Sequence, residues 1–390
     1  MNAMMNRRLY LKVALAGMAA LGTGCTLGGL TGKGASVGTT RAEALAALIL
    51  ANDYWQANNP PTHWAFWDYA AYHTGNMQAY AVTGNEKYRE YSTAWAEHNG
   101  WSGARSTDKS KWKYQYGEND EHVLFGDWQI CFQTYADLYR LDPAKDRRKI
   151  ARALEVFEHQ MNTPNVDYWW WADGLYMVMP AMTKFYKITG DRRYLDKLHA
   201  YFVWADQLMF DSEAGLYYRD AKYIYPKHKS RNGGKDFWAR GDGWVFAGFA
   251  KVLADLPKEH AAYALVLNRY ERMAKALKPA QQEEGYWTRS ILDPAHAPGR
   301  ETSGTAFYTY AYLWGMNNGV LDRAEYAPVV KKSWAYLTRV ALAPDGKLGY
   351  VQPIGERAIP GQRVDQNSSA PFGVGAFLLA ASEMFRFVDA

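Results

Sequence analysis

Cysteine is scarce in this sequence of 390 residues, which contains only Cys25 and Cys131. Two cysteines exclude a disulfide framework and a cysteine-rich zinc site. The sequence also lacks a phosphate-binding P-loop, a paired-histidine zinc motif and the Gly-x-Ser-x-Gly turn of serine hydrolases. These absences remove the corresponding nucleotide-binding, zinc-dependent and serine-dependent enzymes from the candidate classes.

Excess charge of one sign is also small. The chain carries 45 Lys and Arg against 40 Asp and Glu, which gives a formal charge of +5. Loss of the three cations Arg7, Arg8 and Lys12 with an N-terminal leader lowers that charge from +5 to +2. Nucleic-acid binding requires clustered basic charge, so this near-neutral balance argues against a nucleic-acid partner.

Long hydrophobic runs are confined to the N-terminus. A basic segment at residues 6–12 precedes an apolar run at 13–21, a combination typical of a secretory signal peptide. The run is too short to span a bilayer stably. Adjacent Arg7 and Arg8 resemble the core of a twin-arginine export signal. We predict a signal peptide over residues 1–25 and, without a second such run, a soluble mature chain.

The residues after the apolar run predict the location of the protein. Residues 22–25 resemble a lipoprotein cleavage site, although glycine stands three positions before Cys25, where leucine is usual. A lipid anchor at Cys25 and a free form are both open at this point. Residues 26–40 are rich in Gly and Thr and are predicted to form a flexible tether. We expect an exported protein of the bacterial periplasm.

Helical periodicity dominates the rest of the chain. Apolar residues recur at spacings of three and four, and alternating strand patterns are scarce. Turn signals occur at 80–85, 139–143, 186–191, 253–257 and 318–322. They lie roughly 45–65 residues apart, about the length of one helical hairpin. We predict an all-α fold, an (α/α)6 barrel of six hairpins in one domain over residues 41–390. The alternative, an open solenoid, usually has shorter and more regular repeats.

Aromatic residues are abundant, and two acids lie among them. The 16 Trp, 29 Tyr and 15 Phe fit either a large aromatic core or a carbohydrate-binding cleft. Asp173 follows tryptophans at 169–171, and Asp127 precedes Trp128. Each acid could simply be a helix N-cap. Desolvation by aromatic walls would instead raise the pKa of an acid and suit it to proton donation, and glycosidic chemistry uses two carboxyl groups.

A third candidate segment centres on Arg240, which lies between Trp238 and Trp244. A planar guanidinium can bind a carboxylate while the indoles hold a sugar, or it can form an internal ion pair. Residues 300–304 are most simply interpreted as a capped helix entry. His73 is a candidate site residue because aromatic residues flank it, although a single histidine is more often structural.

Several motifs together resemble the unsaturated rhamnogalacturonyl hydrolases of glycoside hydrolase family 105, which are relatives of the family 88 unsaturated glucuronyl hydrolases. The motifs are QTYADLY at 133–139, WADGLYM at 171–177, FWARGDGW at 237–244, ETSG at 301–304, WGMNNG at 314–319 and GAFLLA at 375–380. They follow the family's order over most of the chain. The resemblance implies an (α/α)6 barrel, in agreement with the hairpin count.

The resemblance also implies a reaction. The substrate is a 4,5-unsaturated uronic acid at the non-reducing end of a lyase product, with rhamnogalacturonan as the first expected source. An aspartic acid protonates C4 and its carboxylate then activates water for C5, after which the hemiketal opens and the glycosidic bond breaks. This role falls to Asp173, and Asp127 orients water or substrate. No metal or organic cofactor is implied. The residues expected to bind substrate by this resemblance are Trp171, Trp238, Arg240 and Trp244.

Two departures from the family pattern affect the aglycone preference more than the reaction. Arg219 stands near the position where some members carry a histidine, and Trp128 follows Asp127 where a second aspartate is often found. Arg219 and His73 complete the predicted substrate-binding set. Three alternatives stay open: an enzyme acting on ulvan or another glucuronate polymer, a different (α/α)6 carbohydrate enzyme such as an inverting glycosidase, epimerase or lyase, and a non-catalytic sugar-binding protein.

Overall fold

The computed structural model describes residues 38–388, which contain thirteen α-helices and one two-stranded antiparallel sheet. The helices are α1 (Arg41–Asn58), α2 (Trp67–Thr83), α3 (Glu86–His98), α4 (Cys131–Leu141), α5 (Arg148–Met161), α6 (Gly174–Met177), α7 (Met179–Thr189), α8 (Arg193–Met209), α9 (Ala239–Asp255), α10 (Ala261–Leu277), α11 (Thr302–Asn317), α12 (Arg323–Tyr336) and α13 (Pro371–Phe387). The strands are β1 (Phe210–Asp211) and β2 (Leu216–Tyr217). The predicted signal peptide, Cys25 and tether residues 26–37 lie outside the described residues.

Six helices form a closed inner ring. Each inner helix contacts the next one in the order α2, α4, α7, α9, α11 and α13. Helix α13 in turn contacts α2, which closes the ring. Helices α1, α3, α5, α8, α10 and α12 pack around this ring. Inner and outer helices alternate along the chain, so the inner helices run in one direction and begin at the same end. The predicted (α/α)6 barrel is confirmed. Within residues 38–388, no helix is both long and apolar enough to cross a bilayer.

Burial separates the two rings. Helix α11 is buried at every residue from Thr302 to Met316, and α9 is buried from Ala239 to Ala250. The outer helix α10 buries one face only, through residues such as Val266 and Tyr270. A helix that is apolar all round belongs in a core, whereas a one-sided apolar stripe belongs at its surface. Helices α9 and α11 are therefore core elements of the barrel, whereas α10 lies at its surface.

Glycines permit the turns and the close packing of the ring. Gly84 and Gly190, in the repeated turn signals, end α2 and α7 in the left-handed region with φ of 62° and 73°. Gly75 allows α2 to approach α13, because a Cβ at Gly75 would lie only 2.2 Å from the carbonyl oxygen of Gly375. The close approach at Gly75 and Gly375 brings together the first and last inner helices, α2 and α13.

Candidate active site

A cavity of about 400 Å³ lies at the end of the barrel where the inner helices begin. Its wall is drawn from residues 64–68 at the start of α2, 116–127 ahead of α4, 170–177 around α6, 219–222 after β2 and 354–356 ahead of α13. The wall combines tryptophan rings with five carboxyl groups and two cations. Such a mixture of aromatic faces and polar groups suits a charged sugar.

Asp173 lies in this wall, directly before α6. Its side chain caps no backbone N–H of that helix, so the N-cap alternative does not apply. The residue is 8% exposed, and its buried Oδ2 has no hydrogen-bond partner among the described residues. Burial raises the pKa of Asp173, while the positive charge of Arg219 opposes that rise. A carboxyl group with a raised pKa in a cavity wall is suited to proton donation.

Asp127 occupies a short 3-10 turn, Gly126–Trp128, in the same wall. It is 6% exposed, and its Oδ1 also lacks a hydrogen-bond partner within residues 38–388. Burial first, and the charge of Asp173 second, hold the pKa of Asp127 well above its ordinary value. Because each carboxyl group feels the charge of the other, protonation of one favours ionisation of its neighbour.

The indole of Trp171 fixes the spacing between the two acid-bearing segments. A Cβ at Gly126 would lie 3.1 Å from Cη2 of this indole, and a Cβ at Gly174 would lie 3.3 Å from the same atom. Side chains at either glycine would press against the ring. Trp171 therefore packs against the backbone neighbours of both Asp127 and Asp173, and it lines the cavity as predicted.

Arg219 connects β2 to the segment that carries Asp173. Its backbone carbonyl accepts a hydrogen bond from Ala172 N at 2.7 Å. Its Nε lies 3.4 Å from Asp173 Oδ2, and its Nη1 donates to Asp220 Oδ2 at 2.6 Å. The guanidinium also lies 5.8 Å from the centre of the Trp170 ring. These contacts hold a positive charge beside the candidate proton donor.

Asp68 is a cavity acid that the sequence reasoning missed. It lies in the first turn of α2 and accepts a hydrogen bond from Trp64 Nε1 at 3.1 Å. Burial raises the pKa of Asp68 to about 6. A signal was present, because Asp68 follows aromatic residues at a helix start, as Asp173 does.

Lys222 and Glu356 were missed for a different reason, since nothing local in the sequence distinguishes them. Glu356 Oε2 accepts a hydrogen bond from Lys222 Nζ at 2.8 Å, across 134 positions of sequence. Its Oε1 accepts from Tyr223 Oη at 2.6 Å, and Oε2 lies 3.3 Å from Arg219 Nη1. Glu356 thus joins the segment ahead of α13 to the loop after β2, across one side of the cavity.

Arg240 does not line the cavity. It is fully buried, and its Nη1 and Nη2 donate to the backbone carbonyls of Gln352 and Pro353 at 2.8 Å and 2.9 Å. Trp238, whose ring lies 4.6 Å from the guanidinium, donates through Nε1 to Gln352 Oε1 at 2.9 Å. The Nε of Arg240 has no hydrogen-bond partner within residues 38–388, and the charge of Arg240 lowers the pKa of Asp173, so the carboxylate contact expected of Arg240 beside Trp238 stays a prediction. Both residues support the segment that carries Glu356.

Two other predicted substrate-binding residues lie in the core. Trp244 is fully buried, and its ring centre lies 4.4 Å from that of Phe307. His73 stacks on Trp95 with 3.8 Å between ring centres, and its Nδ1 lies 2.9 Å from Ser92 Oγ. Neither residue is among those that line the cavity, and Nε1 of Trp244 has no hydrogen-bond partner within residues 38–388, so their substrate contacts stay predictions. Both lie on inner helices, where the side chains that face neighbouring helices fill the core.

The cavity's carboxyl groups do not form a metal site. Across residues 38–388, no group of three or more His, Cys, Asp or Glu side chains is arranged to hold a metal ion. What the arrangement offers is proton transfer from a buried acid pair, positive charge from Arg219 and Lys222, and indole faces for a ring.

Comparison with known proteins identifies the family. The sequence profile of glycosyl hydrolase family 88 matches residues 43–388. An unsaturated 3S-rhamnoglycuronyl hydrolase from Formosa agariphila is 32% identical over 375 residues, which cover 91% of this chain and 94% of that protein. A solved family 88 glycosyl hydrolase from Bacteroides vulgatus is 57% identical, with a TM-score of 0.87 and coverage of 90% of this chain and 100% of the other.

A solved structure described as a polysaccharide lyase is 64% identical, with a TM-score of 0.87 and coverage of 89% of this chain and 98% of the other. The resemblance to the related family 105 and family 88 hydrolases, drawn from the sequence motifs, is confirmed by these comparisons. Because the profile match spans nearly all of the described barrel, including every residue of its acid-lined cavity, this chain belongs to glycosyl hydrolase family 88.

Proposed function

We propose that this enzyme removes a 4,5-unsaturated uronic acid from the non-reducing end of oligosaccharides produced by a lyase. The observation that carries the proposal is Asp173, a buried acid with a raised pKa in the wall of an aromatic cavity. Such a group can be a proton donor near neutral pH. The name of the Formosa agariphila relative supports the same substrate class.

The proposed reaction begins at the double bond rather than at the anomeric carbon. Asp173 gives its proton to C4, and the resulting carboxylate takes a proton from the water that adds to C5. The product is a hemiketal at C5, whose ring opens to a ketone. C1 is then a hemiacetal, which releases the aglycone alcohol and becomes an aldehyde. Asp173 is protonated again at the end of the cycle, so the reaction consumes one water molecule and no other reactant.

The other cavity residues fit this reaction by position. The rings of Trp170 and Trp171, with centres 4.7 Å apart, provide apolar faces for the uronyl ring. Arg219 and Lys222 provide the positive charge that the substrate carboxylate requires. Asp127, beside Asp173, is placed to orient water or substrate, and its raised pKa disfavours ionisation of both acids together.

The aglycone that we propose is rhamnose. Trp64, Tyr116 and Ile354 line the cavity with exposed side chains, which suits a less polar sugar that carries a methyl group. Two curated relatives, from Formosa agariphila and an Alteromonas species, are named unsaturated 3S-rhamnoglycuronyl hydrolases, the second being 39% identical over 216 residues. Rhamnogalacturonan and ulvan both offer a rhamnose-linked uronyl group, and we keep rhamnogalacturonan as the first substrate to test.

The test is absorbance of the conjugated double bond in lyase digests. Digests of rhamnogalacturonan, ulvan and a glycosaminoglycan are incubated with the purified protein. Loss of absorbance with at least one rhamnose-linked digest supports the proposal. A response to the glycosaminoglycan digest alone would overturn the rhamnose assignment, and no response to any unsaturated uronide would overturn the hydrolase assignment.

A second candidate function is polysaccharide lyase activity, favoured by the description of the 64% identical structure. A lyase creates the double bond that the proposed hydrolase consumes. The same assay therefore distinguishes the two functions by the direction of the absorbance change, when intact polymers are tested beside their digests. Rising absorbance with an intact polymer would indicate a lyase, and falling absorbance with a digest indicates the hydrolase.

Replacement of Arg219 with glutamine should move the alkaline limb of kcat/KM to higher pH. The proposed acid must be protonated, so activity falls as pH rises through the pKa of Asp173. Arg219 lowers the pKa values of both Asp173 and Asp127, and removal of its charge raises them further. The measurement is a pH profile of both proteins. An alkaline limb that stays in place or moves to lower pH would contradict this account of Asp173.

We also propose that the protein is exported to the periplasm and anchored by lipid at Cys25. The N-terminal sequence supports this through its paired arginines, apolar run and cleavage-site pattern. The wild-type protein should fractionate with membranes, and Cys25→Ser should appear in the periplasmic extract. Mass spectrometry of the N-terminal peptide supplies the direct check, and an unmodified Cys25 in the mature protein would contradict the anchor.

A further inference from the structure

A second cavity, of about 530 Å³, lies at the opposite end of the barrel, where the inner helices end. All six inner helices contribute to its wall, through Gln78, Arg140, Lys184, Lys251, Asn317 and Glu383. Its volume is in the range of small-molecule sites. The proposed function does not use this cavity, because the candidate proton donor lies at the other end.

The acids of this cavity are each paired with a cation. The pairs are Asp137 with Lys184 at 2.5 Å, Asp255 with Lys187 at 2.6 Å, and Glu383 with Arg386 at 2.5 Å. Their charges are therefore largely compensated within the wall. The remaining oxygen lone pairs of these carboxylates can still accept hydrogen bonds from a ligand's hydroxyl groups.

Several donors of the same wall have no acceptor. The ammonium of Lys251 makes no hydrogen bond or ion pair within the described residues, and it lies over the Tyr176 ring, 5.3 Å from the ring centre. Within the same range, the Tyr310 hydroxyl and the Trp314 indole N–H also lack hydrogen-bond partners, and the Arg140 guanidinium at the exposed rim makes none either. Tyr310 and Trp314 are buried residues, and their polar atoms are not fully enclosed by protein, so each is open to a hydrogen bond from within the cavity.

Lys251 is a half-buried residue whose ammonium faces the cavity without a charged partner. Burial first, and the charge of Lys184 next, lower the pKa of Lys251 to about 7. An anion beside Lys251 would stabilise its protonated form and raise that pKa. The carbonyl ends of the six inner helices and three carboxylates also line this end, which disfavours a dianion. The wall therefore favours a ligand that carries one negative charge and several hydroxyl groups.

From these contacts, we propose that the cavity is a binding site for a small hydroxylated carboxylate, a sugar acid of about monosaccharide size. The carboxylate lies against Lys251 and Arg140, and the Tyr310 hydroxyl donates to it. The sugar hydroxyl groups donate to the paired carboxylates, and the Trp314 indole provides an aromatic face. This site is additional to the catalytic cavity and does not depend on the proposed function.

Calorimetric titration of the purified protein with D-glucuronate tests the site. D-glucose serves as the neutral analogue and inorganic phosphate as the dianionic one. We expect binding of glucuronate, no heat with glucose and weaker binding of phosphate. Lys251→Met should weaken glucuronate binding at least tenfold. Lys275→Met, which removes an exposed lysine of the outer helix α10, should leave the affinity unchanged.

Proton uptake provides a second readout. Titrations at pH 8 in two buffers of different ionisation enthalpy should show proton uptake on glucuronate binding, and Lys251→Met should abolish it. Tyr310→Phe removes one hydroxyl and should weaken binding severalfold, which keeps the test valid if the lysine variant folds poorly. Absence of glucuronate binding, equal binding by both lysine variants, or phosphate binding as tight as that of glucuronate would overturn the proposal. None of these results bears on hydrolysis.

Discussion

Replacement of Asp173 with asparagine should lower kcat for loss of the double bond by about 10³-fold, the range expected when a general acid-base group is removed. Asparagine has nearly the same shape but can neither donate the proton to C4 nor accept one from water. KM should change little, because the uronyl group retains its aromatic and cationic contacts. The measurement is the decay of absorbance in the digest that the wild-type protein hydrolyses fastest.

A control variant and a pH titration test whether the loss of activity comes from the proposed role of Asp173. Asp345→Asn makes the same chemical change at an exposed turn and should retain wild-type kcat. The Asp173 variant should also titrate differently, because loss of its charge removes one of the causes that raise the pKa of Asp127. A kcat within tenfold of wild type would show that Asp173 is not the proton donor, and would direct attention to Asp127 or Asp68.

Arg240→Met should lower the free energy of unfolding by about 3 kcal/mol, because it leaves the buried carbonyl of Gln352 without its charged donor. The carbonyls of Gln352 and Pro353 lose the guanidinium, and buried Glu301 loses a nearby positive charge. The segment that carries Glu356 is then less firmly held against the cavity. We therefore expect kcat/KM to fall together with stability, and denaturant unfolding monitored by circular dichroism measures the first effect.

The variant also separates two roles for Arg240. If it bound the substrate carboxylate directly, KM would rise while the free energy of unfolding stayed near that of wild type. Arg240→Lys keeps the charge but lacks the planar fork that serves two carbonyls, so it should restore stability only in part. Arg339→Met, at an exposed position of the outer ring, is the matched control and should leave both quantities unchanged.

The sequence predicted the barrel and the centre of its cavity for related reasons. Helical periodicity and repeated turn signals specify hairpins locally, and hairpins of similar length close into a ring. Asp127 and Asp173 were candidates because each lies among aromatic residues where a helix begins, and Trp171 was predicted from the motif that resembles the family's. Those helix starts meet at one end of the ring, so a local pattern there becomes a shared site. The structure places these three residues and Arg219 in one wall.

The local pattern did not determine which side chains would reach the cavity. Trp244 and His73 belong to aromatic-rich segments, yet both face the core, because the rotation of each helix about its axis depends on its neighbours. Arg240 is likewise not among the residues that line the cavity. Its guanidinium donates a hydrogen bond to the backbone carbonyl of Gln352, more than a hundred positions away. A sequence motif identifies which residues lie at the start of a helix, but it does not show whether each side chain faces the cavity or the core.

What the sequence by itself determined is the helical hairpin architecture, the family and the acids at the helix starts, since each of these follows from local periodicity and local motifs. Only the tertiary structure decided that Lys222 and Glu356 meet across the cavity, that Arg240 supports it from behind, and that unpaired donors gather at the opposite end. The physical reason is that closure of the ring brings segments distant in sequence into contact. Charged residues that no local sequence pattern relates to each other thereby become neighbours.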